Sequence, residues 1–443
     1  GPAVGGAGKL ASGLFAVESS MQKAKYKNNP ELLSQLTKDQ LFKQLMDYNH
    51  YLSSASITRR VIDESSSTVD WMNKHGAKLE LIDWNPQQGQ NPYPIRWRIY
   101  HRYVDNAGAF KNMYDAFGKL GGKLLLQTRA YDLTQDKDGN VTAVIAEKAD
   151  GGKLTIKTSA VILASGGYGA DQSLLPPKMK SFLFYGVDGE TGDGLKMGEA
   201  IGAATINMDL VKQYPQGVET RPHHGLAATA SSTDTMKKSG AIYVNRDGKR
   251  FVDENAGLGV LTDKTIEQPG SIAYIVMDDA AWKQYVAKSL EDKLVPSAES
   301  LNEWTKIVNN GHPVMAVSKS LEDAAKQMGI DPKGLEATVK HWNDMVKAGS
   351  DKDFSRRLTG GLAEGGTWRI VEQKVRYQTT LGGLKADGAM RILKKDGSAI
   401  PGLYGAGCVV GGANGADSMT AMMNSWAIVS GVVAAESAAS YAK

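Results

Sequence analysis

Glycine sets the strongest limit on this fold, because it is gathered into three clusters that run from one end of the chain to the other. The first is Gly5-Gly6-Ala7-Gly8-Lys9-Leu10-Ala11-Ser12-Gly13. The second is Ala164-Ser165-Gly166-Gly167-Tyr168, followed by Thr191-Gly192-Asp193-Gly194, and the third is Leu403-Tyr404-Gly405-Ala406-Gly407, running into Gly411-Gly412. The second and third each follow an apolar run, Ala160-Val161-Ile162-Leu163 and Ile400-Pro401-Gly402-Leu403. Apolar strand, glycine turn, then helix is the order in which a doubly wound α/β domain brings bare backbone close to a dinucleotide. One such match is weak, and any single glycine is explained as well by a turn or by close packing. Several matches spread this widely predict one nucleotide-binding domain assembled from distant segments.

Composition narrows the class. The chain has 443 residues, enough for two domains or one domain with a large insertion. An apolar fraction of 42% with 49 Gly and 14 Pro fits a globular α/β protein rather than a disordered or fibrous one. A net charge of +4 is too small to argue for nucleic acid or membrane. The single cysteine, Cys408, excludes a disulfide framework and any four-cysteine metal site. The most apolar stretch, residues 409–435, is broken by glycines, Asp417 and Asn424 and does not read as a membrane span.

Local patterns place the elements. Asn29-Pro30-Glu31 is a helix start, and residues 30–75 read as helical with a polar break. Residues 84–103 read as a loop rich in Pro, Gln and aromatics, and residues 105–121 as a helix. Lys123–Thr128, Ala130–Thr134, Val141–Glu147 and Lys153–Lys157 alternate apolar and polar, with turns at Asp138-Gly139-Asn140 and Asp150-Gly151-Gly152. They predict a β-meander feeding a buried strand at Ala160–Leu163. From about 212 to 372 glycine turns give way to strands at Ala241–Val244 and Ile272–Met277. Helical patterns follow near Ala280–Leu290, Ser320–Met328 and Pro332–Lys347. The expected architecture is α/β: a doubly wound domain with a β-meander from residues 1–211 and 373–443, and an inserted α+β capping domain from 212 to 372.

Four motifs, in order, carry a family resemblance: Thr191-Gly192-Asp193-Gly194, the Gly240–Phe251 stretch, Leu381–Gly383, and Pro401–Gly407. With them the chain, from Gly5 to about Ala435, resembles the fumarate reductase / succinate dehydrogenase flavoproteins in their soluble, single-subunit branch. The resemblance implies FAD as cofactor, a cap closing over it, and an opening βαβ unit of about 30 residues that is absent here. No initiator Met is present, which agrees with a fragment or a processed chain. Relatives that attach flavin covalently use a histidine in the first glycine loop; Gly5–Gly13 has none, so non-covalent FAD is expected. The residues implied at the cofactor are Gly5, Gly6, Ala7, Gly8, Lys9, Ala11, Gly13, Ala130, Ala164, Ser165, Gly166, Gly167, Thr191, Asp193, Gly407, Cys408 and Ser425. An electron donor protein or domain carrying haem or FMN is the implied partner.

Against the family pattern, the groups that grip fumarate are changed. The histidine of the first clamp falls on Tyr214, in Gln213-Tyr214-Pro215. The later His-Thr pair becomes Thr379-Thr380, the second clamp arginine becomes Ser418, and the proton-relay Glu and Arg become Asp234 and Lys237. The proton-donor arginine falls on Leu258, and no arginine occurs between Phe251 and Ser355. Fumarate is therefore not the expected substrate. The candidate catalytic set is Tyr214, Asp234, Lys237, Tyr377 and His101. A phenol serves as a general acid when a neighbouring cation lowers its pKa, with Lys237, His223 or His224 as that neighbour, or Tyr214 simply packs in the cap. The His223-His224 pair lacks carboxylates or cysteines at ligand spacing, so no metal is expected. The Trp97–Tyr103 run mixes aromatic and basic residues but is too short to argue for nucleic acid. The expected reaction is reduction or dehydrogenation of a carbon–carbon bond beside a carbonyl or carboxylate, on an aromatic or bulky enoate or enone. The alternative is a non-catalytic remnant or partner-binding subunit with an incomplete FAD site.

Overall fold

A computed structural model describes residues 4–82, 98–419 and 421–443. The chain divides into two compact units: Gly1–Pro176 with Gly186–Lys212 and Thr379–Lys443, and Pro177–Tyr185 with Gln213–Gln378. Gly166 and Gly407 fall in the same unit, and the short Pro177–Tyr185 segment belongs with the other one.

The first unit is built from small sheets and helices. Helix Pro30–Gln35 starts where Asn29 accepts a hydrogen bond from the Leu32 amide, and Lys38–Tyr48 starts where Thr37 accepts one from Gln40. Helices Ala55–Asp63 and Ser65–Lys74 follow. Strand Tyr100–Tyr103 lies between Gly13–Phe15 and Leu79–Leu81 in an antiparallel sheet. Residues 100–103, expected as loop, are strand because they pair on both edges, and Tyr100, His101 and Tyr103 are buried there while Arg102 is exposed. Trp97 lies outside the described residues.

The meander forms as its turns require, with strands Thr128–Gln135, Val141–Lys148 and Lys153–Lys157. Two expectations at its edges are corrected. Residues 123–127 form no strand, because among the described residues nothing pairs with them, and Leu124, Leu125 and Leu126 are 41%, 50% and 44% exposed. Strand Val161–Leu163 pairs in parallel with Ala399–Gly405 on one side only, so Ile162 is 37% exposed instead of buried.

The C-terminal helix, Met422–Tyr441, ties the unit together. The Phe15 amide donates to Ser425 Oγ at 2.7 Å across 410 residues of sequence, and Asn424 Nδ2 donates to the Gly13 carbonyl at 3.0 Å. Gly13 is required there: a Cβ would meet the His101 carbonyl oxygen at 2.3 Å.

The second unit is a seven-stranded sheet in the order Val211–Arg221, His224–Ala227, Leu183–Phe184, Trp368–Thr380, Ile272–Met277, Ile242–Val244, with Met315–Ser318 also pairing Trp368–Thr380. Ile272–Met277 is buried at every position. Ala273, Ile275 and Met277 enter one apolar cluster with Tyr285, Leu301 and Trp304; Ile272, Tyr274 and Val276 enter the other with Met328, Leu335 and Trp342. A period of two on a strand covered on both faces gives an unbroken apolar run of this kind.

The Gly240–Phe251 motif serves structure here. A Cβ on Gly240 would meet the Gly361 carbonyl oxygen at 2.0 Å, and Gly248 turns at φ +70°. Arg250 binds Glu254 Oε2 at 2.7 Å and Asp351 at 3.0 Å, Arg356 reaches Glu254 at 3.3 Å, and both guanidiniums lie over the Trp342 ring.

Candidate functional site

All three glycine clusters, the candidate cradle for the cofactor, lie in the first unit. Gly5 and Gly6 have φ of +118° and +46°, and a Cβ on Gly6 would meet nothing within 4 Å, so this turn is bare on one side. Asn106 holds the segment by donating from Nδ2 to the carbonyl of Lys9 at 2.8 Å. In the second cluster Gly166 turns at φ +83°, and the Ser165 hydroxyl accepts from the Gly194 amide at 3.2 Å. Gly192, at φ +72°, caps helix Asp193–Ala200. Asp193 is gripped by Arg129 through two hydrogen bonds of 2.8 Å and accepts from Thr191 Oγ1 at 3.0 Å. The hydrogen bond from Arg129 holds its carboxyl below the usual range. Gly407 turns at φ +67°, donates its amide to Ser430 Oγ at 2.9 Å and accepts from Trp426 Nε1 at 3.0 Å.

Two buried polar atoms face the second glycine turn without partners. A Cβ on Gly167 would lie 2.3 Å from Thr380 Oγ1 and 3.5 Å from Glu190 Oε2, and among the described residues neither oxygen has a hydrogen-bond partner. Burial raises the Glu190 pKa to about 7. It also pushes the Cys408 thiol up to about 12, with the Glu190 charge adding to the effect, so Cys408 is no thiolate nucleophile at neutral pH. A bare glycine turn beside unpaired buried oxygens fits a planar heteroaromatic group that both donates and accepts.

The second unit holds an arginine–tyrosine cluster. Arg376, on strand Trp368–Thr380, is buried, with its guanidinium 4.5 Å from the centre of the Tyr214 ring and 4.8 Å from that of Tyr185. Its Nη2 donates to Thr229 Oγ1 at 3.0 Å, and that hydroxyl donates to the Pro215 carbonyl at 2.7 Å. Among the described residues Nε and Nη1 of Arg376 have no partner. Burial draws the Arg376 pKa down to about 10 while the neighbouring Tyr214 and Tyr185 raise it.

The family model described as FAD binding domain matches residues 1–422. The chain belongs to this family. It is 30% identical over 451 residues to a fumarate reductase (cytochrome) of Shewanella frigidimarina, covering 100% of this chain and 72% of that protein. It is 28% identical over 375 residues to an NADH:acrylate oxidoreductase of Vibrio harveyi, covering 82% of this chain but 34% of that protein. In structure it matches the open conformation of a flavocytochrome c3 fumarate reductase with a TM-score of 0.77 at 22% identity, over 100% of this chain and 73% of that one.

As a flavoprotein, the chain uses FAD, and the residues expected at the cofactor lie in the first unit. Gly5, Gly6, Ala7, Gly8, Lys9 and Ala11 lie in one turn and its short 3-10 helix, and Ala164, Ser165, Gly166, Gly167, Thr191 and Asp193 meet around the second cluster. Ala130 sits on the first meander strand opposite Ala146. Gly13 and Ser425 are spent on joining the two chain ends. Glu190 escaped the sequence reading, and Thr380 entered it only as part of the pair that replaces the family's His-Thr; for Glu190 its place directly before Thr191 was the available signal.

The catalytic candidates separate. His101 is fully buried, bonded to Ser19 Oγ at 2.8 Å and to the Ile99 carbonyl at 3.0 Å, and burial lowers its pKa to about 4. It is a neutral core histidine. Asp234 accepts from Gln284 at 2.7 Å and pairs with Lys238 at 2.8 Å, while Lys237 is exposed. Tyr377 is buried beside Phe184, ring centres 5.3 Å apart. The guanidinium of Arg376, a cation the sequence reading did not name, lies 4.5 Å from the centre of the Tyr214 ring. Among the described residues no helix is long and apolar enough to cross a membrane.

Proposed function

We propose that this protein is an FAD-dependent oxidoreductase that reduces a carbon–carbon double bond beside a carbonyl or carboxylate, with Tyr214 as the proton donor. The observation that carries the role of Tyr214 is the Arg376 guanidinium 4.5 Å from its ring. A buried cation at that distance stabilises the phenolate that remains once the proton has left, and so lowers the cost of donation. Thr229 fixes the guanidinium from below through Nη2. When bound, FAD supplies the hydride chemistry at the other carbon. The glycine turns at Gly5–Gly6 and Gly166–Gly167 hold it without a covalent link, with Thr191 and Asp193, and with Glu190 and Thr380 supplying hydrogen bonds. Electrons come from a haem- or FMN-bearing donor.

The flavin-loaded protein tests this. Tyr214→Phe is expected to cut turnover of an aryl enoate about 100-fold or more while flavin absorbance stays unchanged. A near wild-type rate returns Tyr214 to a packing role. A chain that stays colourless after reconstitution with FAD supports a non-catalytic subunit instead.

A further inference from the structure

We propose that Arg376 is the receptor for a single substrate carboxylate, so that the protein takes enoates bearing one carboxylate in preference to neutral enones and amides. The inference rests on the reductase reading above and narrows its substrate.

Among the described residues three arginines are buried: Arg250, Arg356 and Arg376. The first two are neutralised, Arg250 by Glu254 and Asp351 and Arg356 by Glu254. Two residues before Arg376, on the same face of the strand, Lys374 is neutralised by Glu219 and by Glu372. The fold therefore places a carboxylate against each of these neighbouring or equivalent cations. Arg376 has two tyrosine rings and one threonine hydroxyl, and no carboxylate contributes to its electrostatics. A guanidinium buried without a counter-charge is strongly unfavourable unless an anion joins it.

The geometry selects the kind of anion. Nε and both hydrogens of Nη1 are unpartnered, and Nη2 keeps a second hydrogen beside the one given to Thr229. A carboxylate accepts from Nη1 and Nη2 together, the planar two-bond arrangement that guanidinium favours. Tyr185, whose ring lies 4.8 Å from the cation, is 40% exposed, so a ligand that reaches the guanidinium does so by displacing that ring. One cation serves one carboxylate, and the second clamp position of the family pattern is the uncharged Ser418.

The test compares trans-cinnamate with trans-cinnamamide, which has the same shape without the charge. Equilibrium binding is measured by calorimetry on the flavin-loaded protein, and KM is measured with a chemically reduced electron donor. Wild type is expected to bind the acid at least about 10-fold more tightly than the amide. Arg376→Gln is expected to weaken equilibrium binding of the acid by about 10- to 100-fold, the size of a charge-assisted hydrogen-bonded pair, and that of the amide far less, while turnover of both falls with the loss of the cation beside Tyr214. Arg376→Lys keeps charge but loses the fork, and is expected to fall between. Equal affinity for acid and amide in wild type overturns the proposal, as does an equal loss for both ligands in either variant. If Arg376→Gln does not fold, the wild-type ratio and Arg376→Lys decide. Reduction of a neutral enone with no preference for the acid sinks the carboxylate receptor and leaves the reductase reading standing. Tight, Arg376-dependent binding of cinnamate without its reduction does the reverse.

Discussion

Glu190 and His101 are buried titratable groups of opposite charge type, and they bend the stability of the flavin-free chain in opposite directions. The folded Glu190 carboxyl holds its proton more tightly than the unfolded one, with a pKa of about 7 against the ordinary 4.5. Its contribution is therefore intact below about pH 4.5 and is lost as the pH rises through about 7, a loss of up to about 3 kcal/mol. His101 is lowered from 6.5 to about 4, so its contribution is present above pH 6.5 and fades as the pH falls through 4. Glu190→Gln is expected to flatten the decline between pH 5 and pH 8 in thermal denaturation; an unchanged slope would show that Glu190 finds a partner in solution. At this scale the sequence was only partly legible. Tyr214 entered the candidate set because it replaces an ionisable residue at a known position. Its neighbour Arg376 did not, because it lies on a strand that sequence spacing does not connect to residue 214. Burial with polar atoms left unpaired, the property that marks both Arg376 and Glu190 among the described residues, is not written in a residue's neighbours along the chain.

Elements were read most reliably where their cause is local. The meander followed from alternation and two glycine turns, Asp138-Gly139-Asn140 and Asp150-Gly151-Gly152. The helical pattern at Pro332–Lys347 forms as helix Pro332–Ala348, where Asp331 caps the start and Gly349 stops it in the left-handed region. Strand Tyr100–Tyr103 was missed because its two partners come from residues 13–15 and 79–81, and its flank is rich in Pro and Gln. The joint between the first strand and the last helix was equally hidden, and it invites mutation. Ser425→Ala leaves the buried Phe15 amide without its acceptor, an expected loss of about 1–3 kcal/mol in the urea unfolding of the first unit. Gly13→Ala is expected to cost more, since its methyl group would collide with the His101 carbonyl. If Ser425→Ala unfolds at the wild-type midpoint, the hydrogen bond from Phe15 has a ready substitute.

The molecule as a whole has two units with separate apolar cores, and calorimetry is expected to resolve two transitions. Because the glycine cradle belongs to the first unit, FAD at about 100 times its dissociation constant should stabilise that unit by about 2.7 kcal/mol. The other transition should stay in place. Equal movement of both would put flavin contacts in the second unit as well. The hydrogen bonds from Asn424 and Ser425 to Gly13 and Phe15 also bear on how the protein is made. A ribosome releases the whole of residues 213–378 before it reaches Asn424, so the inserted unit is free to fold while the first unit still lacks its closing helix. Gly5–Gly13 must wait through most of translation for the partner that fixes it. A nascent chain stalled near residue 420, with Trp368–Thr380 released and the last helix still unmade, should resist protease across 213–378 and be cleaved readily before residue 20.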